Sequence, residues 1–452
     1  MSQPTAFLYL ALLAYFPFVA GSFWLLGGRR GFLFSLLAGW MFLPWFNEFG
    51  KQIPLLHNKE MFIAAVVLGT SILFDFQAWR RFRPRWFDLP AAVICVSPFF
   101  TSLSTGLGAY DGGSAFFEVA MKWTAPYLLG RVYLGSPAAI LQAGRAIVIA
   151  GMVYAPLCLW EIRMSPQLHR QIYGFHQHLF SQHIRDGSYR PMLFMAHGLM
   201  VAMFMATSAL VAFWLWRSRA ARRFAGVGAP WVVAALVLTT ALCRSAGPFL
   251  LLIAGMAILE STTRLRTAVL VLVLAFVPAA YCTLRISGWD AMSLVIEAER
   301  WLGPDRAESL RIRIVNDRDL TARAMERPWL GWGRGDAFRL RDEEGRDVSI
   351  VDSMWILRLG TSGLVGLIAS GIFLALPLLQ LLRVFPAARW GHPRVAPAAV
   401  LATAVGIWAV DDLSNAMTSP IFPAAAGAVL SFCVFAAVAR GRRQAAAGVR
   451  SV

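Results

Sequence analysis

Residues 191–216 read PMLFMAHGLMVAMFMATSALVAFWLW and contain no Asp, Glu, Lys or Arg. A helix of about 20 apolar residues crosses the roughly 30 Å hydrocarbon core of a bilayer, so this segment indicates a membrane span. Similar apolar segments recur along the whole chain, at 6–26, 31–48, 61–79, 87–105, 114–134, 138–160, 226–243, 246–262, 267–285, 354–382, 396–413 and 420–439. The sequence therefore predicts an all-α, polytopic transmembrane helix bundle with about 12 to 14 spans.

The composition fits one membrane domain and argues against an ordinary soluble protein. Of the 452 residues, 58% are hydrophobic and 15% are charged, whereas soluble domains carry about 25% charged residues. We therefore take residues 1–452 as a single integral membrane domain. The first apolar run is preceded by no positive charge and followed by Arg29 and Arg30. This is the reverse of a signal peptide, so we expect the run to be a span.

The net charge of +17 comes largely from short arginine clusters between the apolar segments, which argues against nucleic acid as a partner. Cytoplasmic loops of membrane proteins carry an excess of Lys and Arg. The clusters fall on alternate connections, at 29–30, 80–85, 217–223, 264–266, 383–394 and 440–443. The two longest connections, 161–190 and 286–352, are therefore expected on the periplasmic side of a bacterial inner membrane. Membrane lipids are expected partners of the protein.

Neither a metal site nor a cofactor is expected from the cysteines, histidines and acidic pairs. The five cysteines all lie in apolar segments, and their spacing is not that of a zinc site. His169, His176 and His183 are seven residues apart, which places them about 10 Å from one another on a helix, too far to share one ion. We favour an interfacial amphipathic helix there. Asp317 and Asp319 form an Asp-x-Asp pattern that a divalent ion can use, a weak signal in an acidic loop.

The larger connection, 286–352, is a polar module with eleven arginines and fourteen acidic residues. Apolar residues and arginines interleave from about residue 304 to residue 325, which predicts a helix lying over the bilayer surface. Its arginines Arg311, Arg313 and Arg318 point either to solvent or to an anionic ligand. A solvated helix face is the ordinary role of such a set, so we expect only one or two of them to contact a ligand.

The most specific pattern begins at the end of this loop, where residues 328–338 read PWLGWGRGDAF. Three glycines alternate with other residues there: Gly331, Gly333 and Gly335. Such a backbone can turn sharply and approach a ligand closely. Asp352 and Ser353 follow, and after nine more residues comes the tetrapeptide GLVG at 363–366.

This pair of motifs resembles the O-antigen ligase and O-antigen polymerase superfamily of bacterial membrane glycosyltransferases. Members typically show a Pro-Leu-x-Gly-x-Gly-x-Gly-x-Phe-like segment, then His-Asn or His-Ser, nine residues and Gly-x-x-Gly. The spacing here is the same, but Asp352 stands where the family usually has histidine. Two other segments are similar to family segments: GSYRP at 187–191, which contains Arg190, and CRSAG at 243–247, which contains Arg244.

The resemblance implies an enzyme that transfers a glycan from undecaprenyl pyrophosphate to a hydroxyl acceptor on the periplasmic face, without a nucleotide sugar or cofactor. The acceptor is a second lipid-linked glycan in a polymerase, or the lipid A core in a ligase. Asp352 is the expected general base for the acceptor hydroxyl. Arg190, Arg244 and the loop arginines, together with the three glycines, are expected at the donor, because arginine offers pyrophosphate a fixed charge and bidentate hydrogen bonds.

Each of these residues also has an ordinary structural role, and other functions stay open. Asp352 at a helix start is a common cap, and Arg190 and Arg244 can reach lipid headgroups from the interface. A transporter or flippase of lipid-linked saccharides is the main alternative, although its site is expected at the midplane, between internal repeats. A family member without activity is a third reading, because of the histidine replacement.

Charged residues inside the spans are costly, so each is expected to have a partner or to face a cavity. Glu118 and Lys122 are four residues apart with the acid first, which predicts an internal ion pair near the entrance of the site. Arg145 and Arg358 also fall within spans, and the sequence assigns no role to either of them.

Overall fold

The structure is a computed structural model that describes residues 5–46, 58–178, 180–185, 187–289, 292–302, 304–334 and 337–449. It is mostly helical, so the predicted all-α class is confirmed. Within these residues, eight helices are long and apolar enough to cross a membrane: Ala6–Phe42, Trp86–Ser104, Pro137–Met164, Gly198–Arg217, Ala246–Arg264, Val269–Ile286, Met354–Val384 and Ile421–Arg442.

The elements are labelled in chain order. The helices are α1 Ala6–Phe42, α2 Lys59–Phe74, α3 Phe76–Arg80, α4 Leu89–Ser104, α5 Gly108–Val119, α6 Ala125–Tyr133, α7 Pro137–Met164, α8 Leu168–Tyr173, α9 Gly198–Arg217, α10 Ala229–Leu242, α11 Ala246–Arg264, α12 Val269–Ile286, α13 Met292–Leu302, α14 Pro304–Met325, α15 Met354–Val384, α16 Ala396–Asp411 and α17 Ile421–Val449. Two short antiparallel hairpins pair β1 Ile184–Arg185 with β2 Ser188–Tyr189, and β3 Arg223–Phe224 with β4 Val227–Gly228.

Helix α1 contains a chain reversal at Gly27, whose φ of 74° and ψ of 162° are not helical. A glycine accepts this positive φ without the steric cost that a side chain would add. Beyond the break the chain runs back along itself, because a Cβ on Gly31 would lie 2.8 Å from the Cα of Phe23. The Tyr15 hydroxyl also donates to the Ser35 carbonyl at 3.0 Å. Residues 6–26 and 28–42 therefore form an antiparallel helical pair, close to the two segments predicted at 6–26 and 31–48.

Helix α5 continues into α6 through one π-helical turn, Ala120–Thr124, which carries Lys122 and Trp123. Such turns occur often at functional sites. Lys122 forms the predicted ion pair with Glu118. The buried Trp123 ring contacts the ring of Trp408 at a centroid distance of 5.3 Å, which joins this turn to α16.

The connections fall at two ends of the bundle. We call the end that carries residues 80–85, 217–223, 264–266 and 383–394 the arginine end, and the opposite end, which carries 161–190 and 286–352, the loop end. Contacts at the arginine end are Arg217 Nε to Glu260 Oε1 at 2.7 Å, Trp214 Nε1 to the Trp390 carbonyl at 3.3 Å, and Arg440 to the Val384 carbonyl. Contacts at the loop end are Thr5 N to the Tyr173 carbonyl at 3.1 Å, Lys59 Nζ to the Phe194 carbonyl at 2.8 Å, and Met354 N to the Asp412 carbonyl at 3.0 Å.

The α-helix of the smaller loop is short and includes only His169 of the three histidines, so the predicted amphipathic helix through His169, His176 and His183 is wrong. Helix α8 ends at Tyr173, where Gly174 takes a left-handed φ of 92°. Sequence spacing did not reveal this stop, because a single glycine is compatible with either conformation. Within the described residues, the structure shows no group of three His, Cys, Asp or Glu side chains that suits a metal ion.

The larger loop is built on α13 and α14, and α14 has the bounds that the sequence predicts for its helix, 304 to 325. A small apolar cluster of Val295, Ala307 and Ile314 holds α14 against α13. A second cluster, in which Leu320 and Phe338 are completely buried, packs the loop onto the start of α15. Packed side chains thereby hold the loop against the first turns of α15.

Candidate functional site

The two sequence motifs meet at a break in α15. Gly363, with φ 61° and ψ −162°, interrupts the helix, so nearby carbonyls and N–H groups lose their helical partners. The PWLGWG segment, residues 328–333, supplies replacements through four backbone hydrogen bonds: Trp332 N to Gly360 O at 2.8 Å, Gly333 N to Thr361 O at 3.1 Å, Leu364 N to Pro328 O at 2.7 Å and Val365 N to Trp329 O at 3.2 Å. The loop and the membrane helix are joined backbone to backbone.

The glycines of these motifs make this contact sterically possible. A Cβ on Gly331 would lie 2.6 Å from the Gly363 nitrogen, and a Cβ on Gly363 would lie 2.3 Å from the Trp329 carbonyl oxygen. Gly333 has a φ of 87° and packs closely against Leu107 of the α4–α5 connection. Gly331 and Gly333 thus have a packing role, while their contact with a substrate stays a prediction. Gly335 lies outside the described residues.

Gly363→Ala is expected to lower the free energy of unfolding by about 2 kcal/mol or more, because it combines a positive φ with a steric clash. Gly371→Ala, in the same helix, is the matched control, since a Cβ there meets nothing within 4 Å. The control should be neutral or stabilising by up to about 1 kcal/mol, the ordinary gain from Gly to Ala in a helix. Thermal unfolding in detergent measures both. Equal stability of the two variants would contradict the tight contact.

Asp352 lies immediately before α15 and pairs with one loop arginine. Arg313 Nε is 3.5 Å from Asp352 Oδ2, and both side chains are partly exposed. The helix begins at Met354 with Ser353 as its N-cap residue, so Asp352 is not the cap. Its carboxylate is accessible from the loop end of the bundle, beside a fixed positive charge.

A second carboxylate, Asp317, lies next to this pair and is only 5% exposed. The Ser353 hydroxyl is 3.1 Å from both of its oxygens and donates to it. Burial raises the pKa of Asp317 to about 6, and the charge of Asp352 also raises it, while the bond from Ser353 lowers it. Two carboxylates therefore flank Ser353, one buried and one accessible.

The other two predicted loop arginines are neutralised within α14. Arg311 makes two hydrogen bonds of 2.7 Å to Glu308, and Arg318 contacts Asp319 at 3.0 Å. Both arginines are exposed, as expected of a solvated helix face. Of the three loop arginines, Arg313 is the one that the structure brings to Asp352.

Arg190 and Arg244 form a separate group at the loop end. Arg190 is buried, and its Nη2 donates to the Arg244 carbonyl at 3.4 Å. Arg244 has a φ of 49°, unusual for a residue other than glycine, and its side chain is exposed. The structure therefore brings the predicted residues together in two sets, Arg190 with Arg244 and Arg313 with Asp352.

Buried charges where α15 meets the end of α16 were not identified as a site from the sequence. Arg358 is 7% exposed, and its guanidinium lies 4.6 Å from the centre of the Trp123 ring. Asp412 is 4% exposed, and neither of its carboxylate oxygens has a hydrogen-bond partner among the described residues. Arg358 and Asp412 are close enough to attract each other. The signal in the sequence was the pair Asp411 and Asp412 at the end of a mostly apolar segment.

An apolar cavity of about 540 Å³ lies between α12, α15 and α16 and includes Arg358 and Asp412 in its wall. Most of its other lining side chains are apolar, such as Pro278 and Leu376. It also includes Ile368, which is exposed on the outer surface of the bundle. The cavity therefore combines an apolar wall that reaches the outer surface of the bundle with two buried polar side chains, Arg358 and Asp412.

No protein-family model matches the chain, and no curated protein matches it either. The resemblance described above therefore rests on the short motifs alone.

The cavity and the Asp352 group are adjacent. Met354, two residues after Asp352, lines the cavity, and its backbone N–H bonds to the Asp412 carbonyl at 3.0 Å. One end of the cavity therefore lies two residues along the chain from Asp352, and its wall reaches from there, past Arg358, to the outer surface of the bundle. An apolar cavity with an arginine in its wall can hold an amphiphile whose tail is apolar and whose head is anionic.

Proposed function

We propose that this protein is a membrane glycosyltransferase that transfers an undecaprenyl-pyrophosphate-linked glycan to a hydroxyl acceptor, like the O-antigen ligases and polymerases that its motifs resemble. The observation that carries the proposal is the apolar cavity with Arg358 in its wall, next to the Arg313–Asp352 pair. An isoprenoid tail needs an apolar groove, and a pyrophosphate needs fixed positive charge close by. Both requirements are met in one place.

Arginines at this site suit the leaving group. A guanidinium stays charged at any relevant pH and offers a planar fork that matches phosphate oxygens. Arg358 lies against Trp123 on one side, which restricts its orientation. The site as proposed places the pyrophosphate between Arg358 and Arg313, so that charge developing on the leaving phosphate is neutralised.

The proposed reaction is a displacement at the anomeric carbon of the donor sugar. The acceptor oxygen forms a bond to that carbon, the bond from the carbon to the phosphate oxygen breaks, and undecaprenyl pyrophosphate leaves with the electron pair. The acceptor proton passes to the Asp352 carboxylate, which acts as general base. Asp317 accepts a hydrogen bond from the Ser353 hydroxyl and so orients the residue that follows Asp352.

The membrane topology that goes with this proposal has thirteen spans. It adds to the eight long apolar helices the second half of α1 and the shorter helices α2, α10 and α16, and it counts α5 with α6 as one span. In a bacterial inner membrane, the arginine end then faces the cytoplasm and the loop end faces the periplasm. Reporter fusions at Arg346 and Val452 are expected on opposite sides, and a cytoplasmic signal from both would contradict the placement.

The acceptor decides between polymerase and ligase. We favour a polymerase of surface or secreted polysaccharide, because the Asp352 motif departs from that of standard ligases. Purified protein in proteoliposomes is expected to lengthen a lipid-linked oligosaccharide precursor, with product measured by gel electrophoresis. Addition of lipid A core separates the two reactions: a ligase forms product only when the core is present.

A transporter or flippase of lipid-linked saccharides is the second candidate, and one observation favours it. Helix α15 is broken at Gly363 and lines the apolar cavity, as broken helices line the sites of many transporters. The same proteoliposomes test this function. Movement of a labelled precursor between leaflets without any new glycosidic bond would replace the enzyme proposal with the transporter.

A further inference from the structure

A second cavity, of about 240 Å³, lies at the arginine end, far in the fold from the Asp352 site. The connection between α3 and α4 forms one side of it, and α6 and α17 form the other. Its lining includes four arginines and, among the described residues, no acid: Arg81, Arg83, Arg85 and Arg131. The proposed glycan transfer uses none of them.

Arg131 is the fixed element of this cavity. It is 6% exposed, and Asp88 accepts one bond of 2.9 Å from its Nε and another of 2.9 Å from its Nη2. The guanidinium also lies between two rings, 5.2 Å from the centre of Phe82 and 4.7 Å from that of Phe87. A buried guanidinium of this kind keeps one orientation, because any other would take the counter-charge away from Asp88.

One N–H donor of Arg131 is left for a ligand. A guanidinium has five N–H donors. Four of them have acceptors: two go to Asp88, one to the Arg83 carbonyl at 3.2 Å and one to the Ser431 hydroxyl at 3.3 Å. The fifth, on Nη1, has no acceptor among the described residues, and Arg131 lines the cavity. Arg131 therefore brings to the cavity wall a guanidinium with one N–H that no described acceptor takes.

The other three arginines give the cavity an excess of positive charge. Arg81, Arg83 and Arg85 are exposed, and no ion pair to a described acid neutralises them, whereas Asp88 neutralises Arg131. Three like charges around one opening repel each other unless an anion lies between them. Arginines that only set the orientation of a protein in the membrane need to be numerous at one end, but they need not line one cavity.

The size and the surroundings of the cavity indicate the ligand class. Its 240 Å³ is below the range of about 300 to 1,000 Å³ found for sites that hold drug-sized ligands, so a phosphate or pyrophosphate group fits better than a whole nucleotide. The neighbouring Trp86 is 61% exposed, as tryptophans at the membrane interface are. Basic pockets between membrane helices on the cytoplasmic side bind anionic lipid headgroups.

We propose that this arginine cavity binds a phosphate oxyanion, carried either by an anionic phospholipid headgroup or by a small soluble phosphate compound. The test uses the full chain, purified in neutral detergent and phosphate-free buffer. In one arm it is titrated with sodium pyrophosphate by calorimetry. In the other, native mass spectrometry measures binding of dihexanoyl phosphatidylglycerol, with dihexanoyl phosphatidylcholine as the zwitterionic control.

The decisive variant is Arg81→Gln/Arg85→Gln, which keeps Arg131 and its partners. Binding of at least one probe is expected to weaken at least about tenfold, because charge-assisted contacts to phosphate are lost. Arg222→Gln/Arg223→Gln is the matched control, since it removes two exposed arginines from the same end without touching the cavity. The probe that binds identifies the source of the phosphate. The proposal would be overturned if neither probe bound, or if both double variants weakened binding equally. It would also be overturned if phosphatidylcholine bound as well as phosphatidylglycerol.

Discussion

Asp352→Asn is expected to lower the rate of glycan transfer by about 10²-fold or more, on typical magnitudes for general-base catalysis. Asparagine has nearly the same shape as aspartate and can still accept a hydrogen bond from Arg313, but it cannot take the proton of the acceptor hydroxyl. A structural role predicts little change, since Ser353 and not Asp352 is the N-cap residue of α15. The measurement is product formed from a lipid-linked precursor in proteoliposomes at matched protein amounts.

Two further variants make this result specific. Asp319→Asn is the control, because it removes an acidic group of the same loop that pairs with Arg318 on the exposed face of α14. It should leave the rate unchanged. Asp352→His restores the residue usual in the resembled family and should keep part of the activity, because imidazole also accepts a proton near neutral pH.

The buried neighbour Asp317 offers an alternative base, and the same assay distinguishes it. Its raised pKa of about 6 suits a base near neutral pH, but its burial and its bond to Ser353 keep the acceptor away. If Asp352→Asn keeps full activity while Asp317→Asn loses it without loss of folding, the base is Asp317. If both variants and the parent make no product, the enzyme proposal fails.

The helices were predictable where periodicity and apolar length decide them. The interleaving of apolar residues and arginines predicted α14 with its observed bounds. The apolar stretches at 6–26 and 31–48 predicted two helices, and the structure shows a reversal between them at Gly27. The histidine helix failed because a single glycine, Gly174, ends α8 after Tyr173. Local pattern does not show which glycine takes a left-handed conformation.

The candidate site was predictable only in part. The spacing of residues along the sequence does not show which side chains are buried or which distant residues meet in the fold. Asp352 and one of three loop arginines meet, but the sequence could not show which arginine is neutralised by a neighbour, as Arg311 is by Glu308. The glycines of the first motif were assigned to a ligand, yet Gly331 lies against the break of α15. Arg358 and Asp412 are 54 positions apart and meet only after α15 and α16 have packed.

Loss of the Arg358 charge together with its partner is expected to abolish glycan transfer while the fold is kept. Arg358→Met alone would remove the positive charge that attracts the buried Asp412 side chain, and an uncompensated buried charge destabilises a protein. Arg358→Met/Asp412→Asn avoids this cost, because it removes both charges. Its thermal unfolding in detergent should be close to that of the parent, and product should fall by about 10²-fold or more if Arg358 neutralises the leaving pyrophosphate.

Arg358→Lys separates charge from geometry. Lysine keeps the positive charge but not the planar fork, so it can hold a phosphate oxygen only as a point charge. The expected result is at least about a tenfold loss of transfer with the variant still folded. Arg145→Lys is the control, because Arg145 is an exposed arginine of α7 outside the cavity lining, and it should behave as the parent does.

The double variant also decides what the buried pair is for. If Arg358 and Asp412 only hold α15 against α16, the neutral pair preserves both the fold and the activity, because replacing a buried ion pair by uncharged residues is often neutral or stabilising. Full product from a folded Arg358→Met/Asp412→Asn protein would therefore remove Arg358 from the mechanism. A folded but inactive double variant, beside an active Arg145→Lys protein, would tie the loss to the charge inside the apolar cavity, where the donor pyrophosphate is proposed to lie.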